Sequence, residues 1–371
     1  MPVYWSILFV TTIVCFIGTH FRQRKFILEG RTVYRISPGV VIFSVAYLLL
    51  FVCFRDYVMD TYSYKEAFYS MPTEWNAMLK EISEMDSDWG FYFLQGAFKI
   101  LVSDNHYAWF SFVGIVSCFF LFRPLYKYSC DFPLTMYLFI AGTTFTWLLN
   151  GARQFLAACI LFGFSDWLIK GKKLQYILLS LLVSLFHSSA IFLAFICLFV
   201  SSKKILDFRM ILFGIITTLG INYSEGVFTF LKAALDMDYS EALSSTDGSS
   251  IIRLLISGIP ILIVLIMYRY IKYEAPPSIR LAINMSFIGD CFYLAASFTN
   301  GILIGRMPIY FTIYNLYLLP WLIHKCFTKN SVKLVLMLTY GFYLLYFYYQ
   351  IVISWSGMEY VSKFLNLYYH H

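Results

Sequence analysis

PLTMYLFIAGTTFTWLLNGARQFLAACILFGFSDWLIKGKK, residues 133–173, decides how the rest of the chain is read. Two apolar runs, 133–150 and 152–169, meet at Asn150-Gly151, and Arg153 and Asp166 are their only charges before the basic turn Lys170-Gly171-Lys172-Lys173. In hydrocarbon every backbone donor and acceptor must be satisfied within its own segment, so long apolar runs joined by short loops are helices. The runs are continuous rather than alternating, which excludes an outer-membrane barrel.

Outward from this stretch the pattern repeats. Further runs lie at 3–19, 38–54, 107–122, 174–186, 189–200, 208–222, 252–268, 281–298, 302–323 and 333–353. Of the 371 residues 60% are apolar and 13% charged, where a soluble domain carries about a quarter charged. A large soluble core does not account for this, because its surface would still need charges. The expectation is a single all-α polytopic membrane domain over 1–371, with about 12 transmembrane or half-membrane helices. Aromatics make up 20%, including 30 Tyr and 38 Phe. Interfacial belts explain part of that excess, and a groove for sugar or lipid is the other source that composition leaves open. The eight cysteines form no CxxC pair and no His/Cys cluster with metal spacing, so neither a disulfide framework nor a zinc site is implied. No metal and no cofactor is expected.

Charge sets the topology. The first run has no basic segment before it and is followed by Arg22, Arg24, Lys25, Arg31 and Arg35, the reverse of a cleaved signal peptide. With the N-terminus outside, alternation places inside loops near 20–36, 123–131, 170–173, 201–209, 269–280 and 324–333. These hold 19 of the 28 Lys and Arg, whereas 15 of the 21 acids fall outside. The net charge of +7 is therefore topological and calls for no nucleic-acid partner. Both termini are expected outside.

Lys170–Lys173 and Lys203–Lys204 must share a side, yet only 29 residues separate them. Two helices of roughly a dozen residues each reach only ~18 Å, short of a ~30 Å hydrocarbon core. The turn at Phe186-His187-Ser188 is thus expected within the outer leaflet, where non-helical backbone needs protein or a wet cavity around it. Two outer loops are long. Residues 55–105 carry nine acids and an amphipathic stretch from Phe91 to Leu101, and 223–250 end in a polar tip expected to be mobile. No internal repeat supports an inverted-repeat transporter.

Polar residues in such surroundings cost a few kcal/mol unless paired or wet, so each is a site hypothesis. Arg55, Arg153, Arg253 and Arg306 arrive on the outer face from four different helices. Snorkelling to headgroups is the plain explanation for any one of them. That all four are Arg, with no Lys, favours a planar fork for phosphate oxygens. His187 is a proton acceptor or a hydrogen-bond donor to a phosphate at the outer turn, or a satisfied structural histidine. Asp290, between Gly289 and Cys291, is a helix-packing group or part of a proton relay. Asp166 reads as structural.

The order of these pieces resembles the EpsG-like branch of Wzy-type polysaccharide polymerases. The resemblance rests on Arg55-Asp56 at the end of the second helix with Asp60-Thr61 and Tyr64 after it, and on Asp88-Trp89-Gly90-Phe91 in the outer loop. It continues through Asn150 to Ala157 with Arg153-Gln154, the basic turn at 170–173, Phe186-His187-Ser188-Ser189-Ala190, and Arg306 with Tyr310. The Gly-x-Asp usual in the family is weaker here, with Met59 before Asp60. What the resemblance implies is a metal-independent membrane glycosyltransferase of GT-C type in the bacterial inner membrane. It would polymerise undecaprenyl-pyrophosphate-linked oligosaccharides, as donor and acceptor, into O-antigen-like or exopolysaccharide chains, with a chain-length regulator protein as a possible partner. Arg55, Asp60, Gln154, Arg253, Arg306 and Tyr310 would bind pyrophosphate and glycan. Arg153 would stabilise the leaving group, and His187, Asp88 or Asp56 would orient or deprotonate the acceptor hydroxyl. A ligase-like transferase of the same architecture is the nearest rival. A lipid-linked oligosaccharide flippase should keep charge along a path across the whole membrane, whereas here it stays on one face.

The orientation has a direct test. Cysteines introduced at Ser244 and Ser356 should react with an impermeant thiol reagent in intact cells or spheroplasts, and one at Gly171 only after lysis. Labelling at Gly171 in intact cells would reverse the placement of every candidate residue.

Overall fold

Each of the twelve apolar runs becomes helix over much of its length, but several are broken where the sequence reading had them continuous. A computed structural model describes residues 1–20, 23–29, 31–222, 251–298 and 304–368. Residues 223–250, expected to be an outer loop with a mobile polar tip, lie outside the described residues. The chain divides into two units, 1–160 with 328–371, and 161–327.

In the first unit α1 (Pro2–Gly18) packs on α2 (Pro38–Cys53), and Gly18 is there because a Cβ would strike Val40 at 2.6 Å. The Cys15 thiol and Ser44 hydroxyl share a hydrogen bond of 3.3 Å across this pair. Between them, where a loop was expected, the chain forms a hairpin of β1 (Arg24–Leu28) and β2 (Arg31–Arg35), antiparallel with Arg24 opposite Arg35. It is the one sheet among the described residues of an otherwise mostly helical chain. Phe26-Ile27 and Val33-Tyr34 are strand formers, and Glu29 takes the left-handed conformation at the turn. Arg35 Nη2 donates to the Lys127 carbonyl at 2.8 Å and Tyr126 to that of Ile36 at 2.9 Å, so the hairpin is tied to the end of α6 (His106–Tyr128).

The loop 55–105, expected on the outer face, is itself helical. It holds α3 (Thr61–Ser70), α4 (Trp75–Ser83) and α5 (Trp89–Leu101). Gly96 of α5 lets Met78 of α4 in, since a Cβ would lie 2.2 Å from its sulfur. Met71, Met78 and Ile82 form the buried cluster beneath. A helix end leaves carbonyls without partners. Lys99 supplies the end of α3, donating to the carbonyls of Phe68, Tyr69 and Met71 at 3.0, 2.8 and 2.5 Å.

Run 133–150 is not one span. Its helix α7 (Phe132–Ala141) stops at Gly142, where a Cβ would collide with the Leu138 carbonyl, and Thr143 turns with φ 61° before a 3-10 turn over Thr144–Leu148. Next come α8 (Ala152–Gly163), which crosses the unit boundary, and α9 (Ser165–Ile169). The second unit continues with α10 (Lys173–Val183) and α11 (Ile191–Phe199), packed against each other around the turn that carries His187. Their 11 and 9 residues match the short pair expected from charge parity. Then follow α12 (Phe208–Asn222), α13 (Ile251–Ile266), α14 (Tyr268–Glu274), α15 (Pro277–Phe298), α16 (Ile309–Thr312) and α17 (Asn315–Cys326). Arg280 donates to the carbonyls of Lys203, Ala275 and Lys272, which ties the basic loops after α11 and α14 to one end of this unit.

Among the described helices three are long and apolar enough to cross a membrane. They are α6, α15 over Pro277–Ser297, and α18 (Lys329–Tyr348) with its π-helical continuation to Ser354. A fourth appears if α13 and α14, bent by 87°, count as one span. The other apolar helices among the described residues run 10–17 residues.

After Ser354 the chain doubles back within the first unit as a strap on the loop that follows α2. Asp56 and Val361 join as amide to carbonyl at 2.8 Å, Val361 to Tyr57 at 2.9 Å, and Met59 to Gly357 at 2.9 Å. Phe364 stacks on Phe54 at 4.0 Å, and Tyr360 donates to the Phe51 carbonyl at 2.9 Å. The Asp56 carboxylate takes the Lys363 amide at 2.8 Å and the Tyr107 hydroxyl at 2.6 Å. Tyr107→Phe removes a charge-assisted bond of about 1.5–3 kcal/mol. A lower melting temperature and faster proteolysis within 355–363 should follow, and unchanged values for both would mean that the strap is held without Asp56.

Candidate functional site

The first turn of α8 sets the geometry of the first unit's site. Gly151 precedes it with φ +74°, and a Cβ there would press on Trp147 at 3.0 Å. A helix start exposes unpaired N–H groups and the positive end of its dipole. Asp60 answers this, its Oδ2 accepting the Gly151 amide at 3.2 Å. The carboxylate that opens α3 therefore fixes where α8 begins, and so where Arg153 stands.

Arg153 Nη1 lies 3.2 Å from Asp88 Oδ2 and donates to the Tyr92 hydroxyl at 2.9 Å. Its guanidinium sits 5.3 Å from the Tyr92 ring centroid, and Tyr64 is a further hydrogen-bond partner. Asp88 caps α5 from the left-handed region at φ 57°, a conformation in which Asp is enriched among non-glycine residues. Asp88 is 6% exposed and Arg153 keeps 31% of its side chain accessible. A nearly buried acid thus orients an arginine that is still open to a ligand. Beside them is a cavity of about 430 Å³, lined by Arg153, Tyr92, Met71 and Met85 with the carboxylates of Glu81, Glu84 and Asp86 among others. That is the size of a small-ligand pocket.

Other expected residues are placed differently. Arg55 is 2% exposed. Its Nε donates to Thr61 Oγ1 at 3.1 Å, its Nη1 to the Val52 carbonyl, and its guanidinium lies 4.1 Å from the Phe110 ring centroid. Burial pushes its pKa down to about 10. Arg55 joins the end of α2 to α3 and α6 and does not line the cavity. Asp56 is held by Lys65 at 3.0 Å as well as by Tyr107 and the Lys363 amide. Burial alone would raise its pKa, but the hydrogen bonds from Tyr107, the Lys363 amide and Lys65 outweigh it and hold the carboxyl below its ordinary value. The contribution of this anchor is in place above the unfolded carboxyl value and fades as pH falls through the lowered folded one. Gln154 is buried.

In the second unit His187 is half-buried on the turn between α10 and α11. The neighbouring Ser189 hydroxyl meets the Tyr310 hydroxyl of α16 at 2.9 Å, so the His187 turn and the segment after Arg306 come together. Arg306 is exposed and Arg253, in the first turn of α13, is half-buried. Asp290 accepts the Ser257 hydroxyl at 2.6 Å, a hydrogen bond between α13 and α15.

Tyr92 was missed by the sequence reading. It stands four residues after Asp88 on α5, which faces it to the same side, and that spacing was the available signal. The strap carried no signal, because its partners are about 300 residues away in sequence. Among the described residues no group of three or more His, Cys, Asp or Glu side chains is arranged to hold a metal ion.

Neither a curated protein nor a solved structure matches the chain. The EpsG family model matches residues 40–365, a span that takes in every residue placed above from Arg55 to Tyr310. Together with the apolar helices this marks a membrane protein of the polysaccharide-polymerase kind, and the chain belongs to the EpsG family.

Proposed function

We propose that the chain is a GT-C-type glycosyltransferase that polymerises undecaprenyl-pyrophosphate-linked oligosaccharide repeat units on the outer face of the bacterial inner membrane, with both termini on that face. The observation that carries this is Arg153, oriented by Asp88 and Tyr92, at the edge of a cavity of ligand size. In the transfer the acceptor hydroxyl attacks the anomeric carbon of the donor glycan as the bond to pyrophosphate breaks. The leaving group gains charge while the acceptor oxygen loses its proton. A guanidinium fixed before the reaction stabilises that developing charge without reorganising, and a planar fork suits phosphate oxygens better than an ammonium. Arg253, Arg306, Tyr310, Gln154 and Asp60 are proposed as further residues that bind pyrophosphate and glycan. Arg55, being buried, is proposed to position α3 and not to touch phosphate.

The acceptor proton needs a base. Asp56 is engaged by Lys65, Tyr107 and the Lys363 amide, and Asp88 is paired with Arg153. His187, half-buried on the turn between α10 and α11, is the proposed acceptor. The chemistry of this reading involves no metal ion or cofactor. A chain-length regulator is a proposed partner.

Arg153→Lys keeps the charge and loses the fork. It should remove most long-chain glycan in cells while the protein still inserts and purifies, and near-normal chain length would return Arg153 to an anchoring role. His187→Ala should abolish polymerisation with little change in melting temperature. A structural histidine would instead cost about 1–3 kcal/mol, so lost activity with a large melting drop, or full chain length, would remove His187 from the mechanism.

A further inference from the structure

The second unit holds a buried carboxylate that the proposed transfer does not use. Asp290 lies in α15, Ser257 in α13, and Asn315 opens α17. Ser257 donates its hydroxyl to Asp290 Oδ1 at 2.6 Å and accepts Asn315 Nδ2 on its carbonyl at 3.2 Å, so one residue links all three helices. The remaining oxygens, Asp290 Oδ2 and Asn315 Oδ1, are buried and receive no hydrogen bond. Two acceptors without donors in one apolar cluster is a costly arrangement. Both belong to residues bonded to Ser257.

Among the described residues no cation neutralises the carboxylate. The elements packed on α15 are α9, α12, α13, α16 and α17. No Lys, Arg or His from them reaches Asp290 among the described residues, and its one titratable neighbour is the Cys291 thiol. There is also room. A Cβ placed on Gly258 would find only Asp290 Oδ2 within 4 Å outside its own helix, at 3.9 Å. One turn on, Pro260 has no N–H for the Ile256 carbonyl, which leaves a further oxygen without its helical donor next to Ser257.

We propose that Ser257, Asp290 and Asn315 form an intramembrane binding site for one monovalent cation, sodium or a proton. The oxygen-only donor set suits a hard ion. A single carboxylate fixes the charge, because one positive charge makes the cluster neutral and two would leave a net charge inside hydrocarbon. An alkali ion is shared among the free oxygens, whereas a proton on Oδ2 turns an orphan acceptor into a donor. Either occupant holds α13, α15 and α17 together. The site is independent of the transfer chemistry proposed above.

The test uses the purified full-length protein in detergent, with melting temperature followed in sodium chloride against choline chloride at acidic and alkaline pH. For a sodium site, sodium should raise the wild-type midpoint at alkaline pH and Asp290→Asn should lose that response. For a proton site, the wild-type midpoint should fall as pH rises whatever the salt, and Asp290→Asn should lose that slope. A wild type that follows Asp290→Asn in both series overturns the assignment. Asn315→Ala, which keeps the carboxylate, serves if Asp290→Asn does not fold. It should shift whichever dependence the wild type shows, and an unshifted dependence also overturns the assignment.

Discussion

Backbone polar groups cannot be left unpaired in hydrocarbon, and this chain sharpens that demand by building many helices shorter than a membrane. Every such helix brings two ends, each with unpartnered amides or carbonyls. Much of the scarce polar side-chain inventory goes to closing them. Lys99 closes the end of α3, Asp131 caps α7 at the Leu134 amide at 3.1 Å, and Asp60 meets the Gly151 amide before α8. Asn284 does the same for the loop after α11, giving its amide to the carbonyls of Ser201 and Lys204 and taking the Leu206 amide on its oxygen. Polar groups not spent in this way therefore stand out.

The two arginines of the first unit show how burial separates roles within one residue type. Arg55 and Arg153 each face an aromatic ring and each have oxygen partners. Arg55 is enclosed, and its bonds run to the segments on either side of it in sequence. Arg153 is anchored on one side by a nearly buried acid and keeps an accessible side facing a cavity. The anchoring has its own cost, because Asp88 takes a left-handed conformation. Strain of that kind is tolerated where the surroundings over-determine it.

Arg153 was legible in the sequence because a charge within an apolar run departs from what hydrocarbon permits. Helix continuity was not. Hydropathy averages over Gly142-Thr143, where a Cβ on Gly142 would meet the Leu138 carbonyl and Thr143 turns into the left-handed region. The hairpin at 24–35 was hidden by its basic residues, which carry the topology signal and mask the strand formers between them. Arg55 looked equivalent to Arg153 because sequence reports charge and not enclosure. Asn315 escaped notice because a single amide at the start of a helix is ordinary until its oxygen is found buried without a donor.

The strap has a consequence for biogenesis. Asp56 and the Lys363 amide that it accepts are 307 residues apart. At ribosomal rates of about 5–20 residues per second, the Asp56 carboxylate waits roughly 15–60 s for that partner to be made. Throughout this interval the loop between α2 and α3 lacks its closing strand, while the helices around it have already been handed to the bilayer. Maturation of this protein is therefore gated from its far end, and a nascent chain stalled before residue 363 would be membrane-integrated yet unfinished.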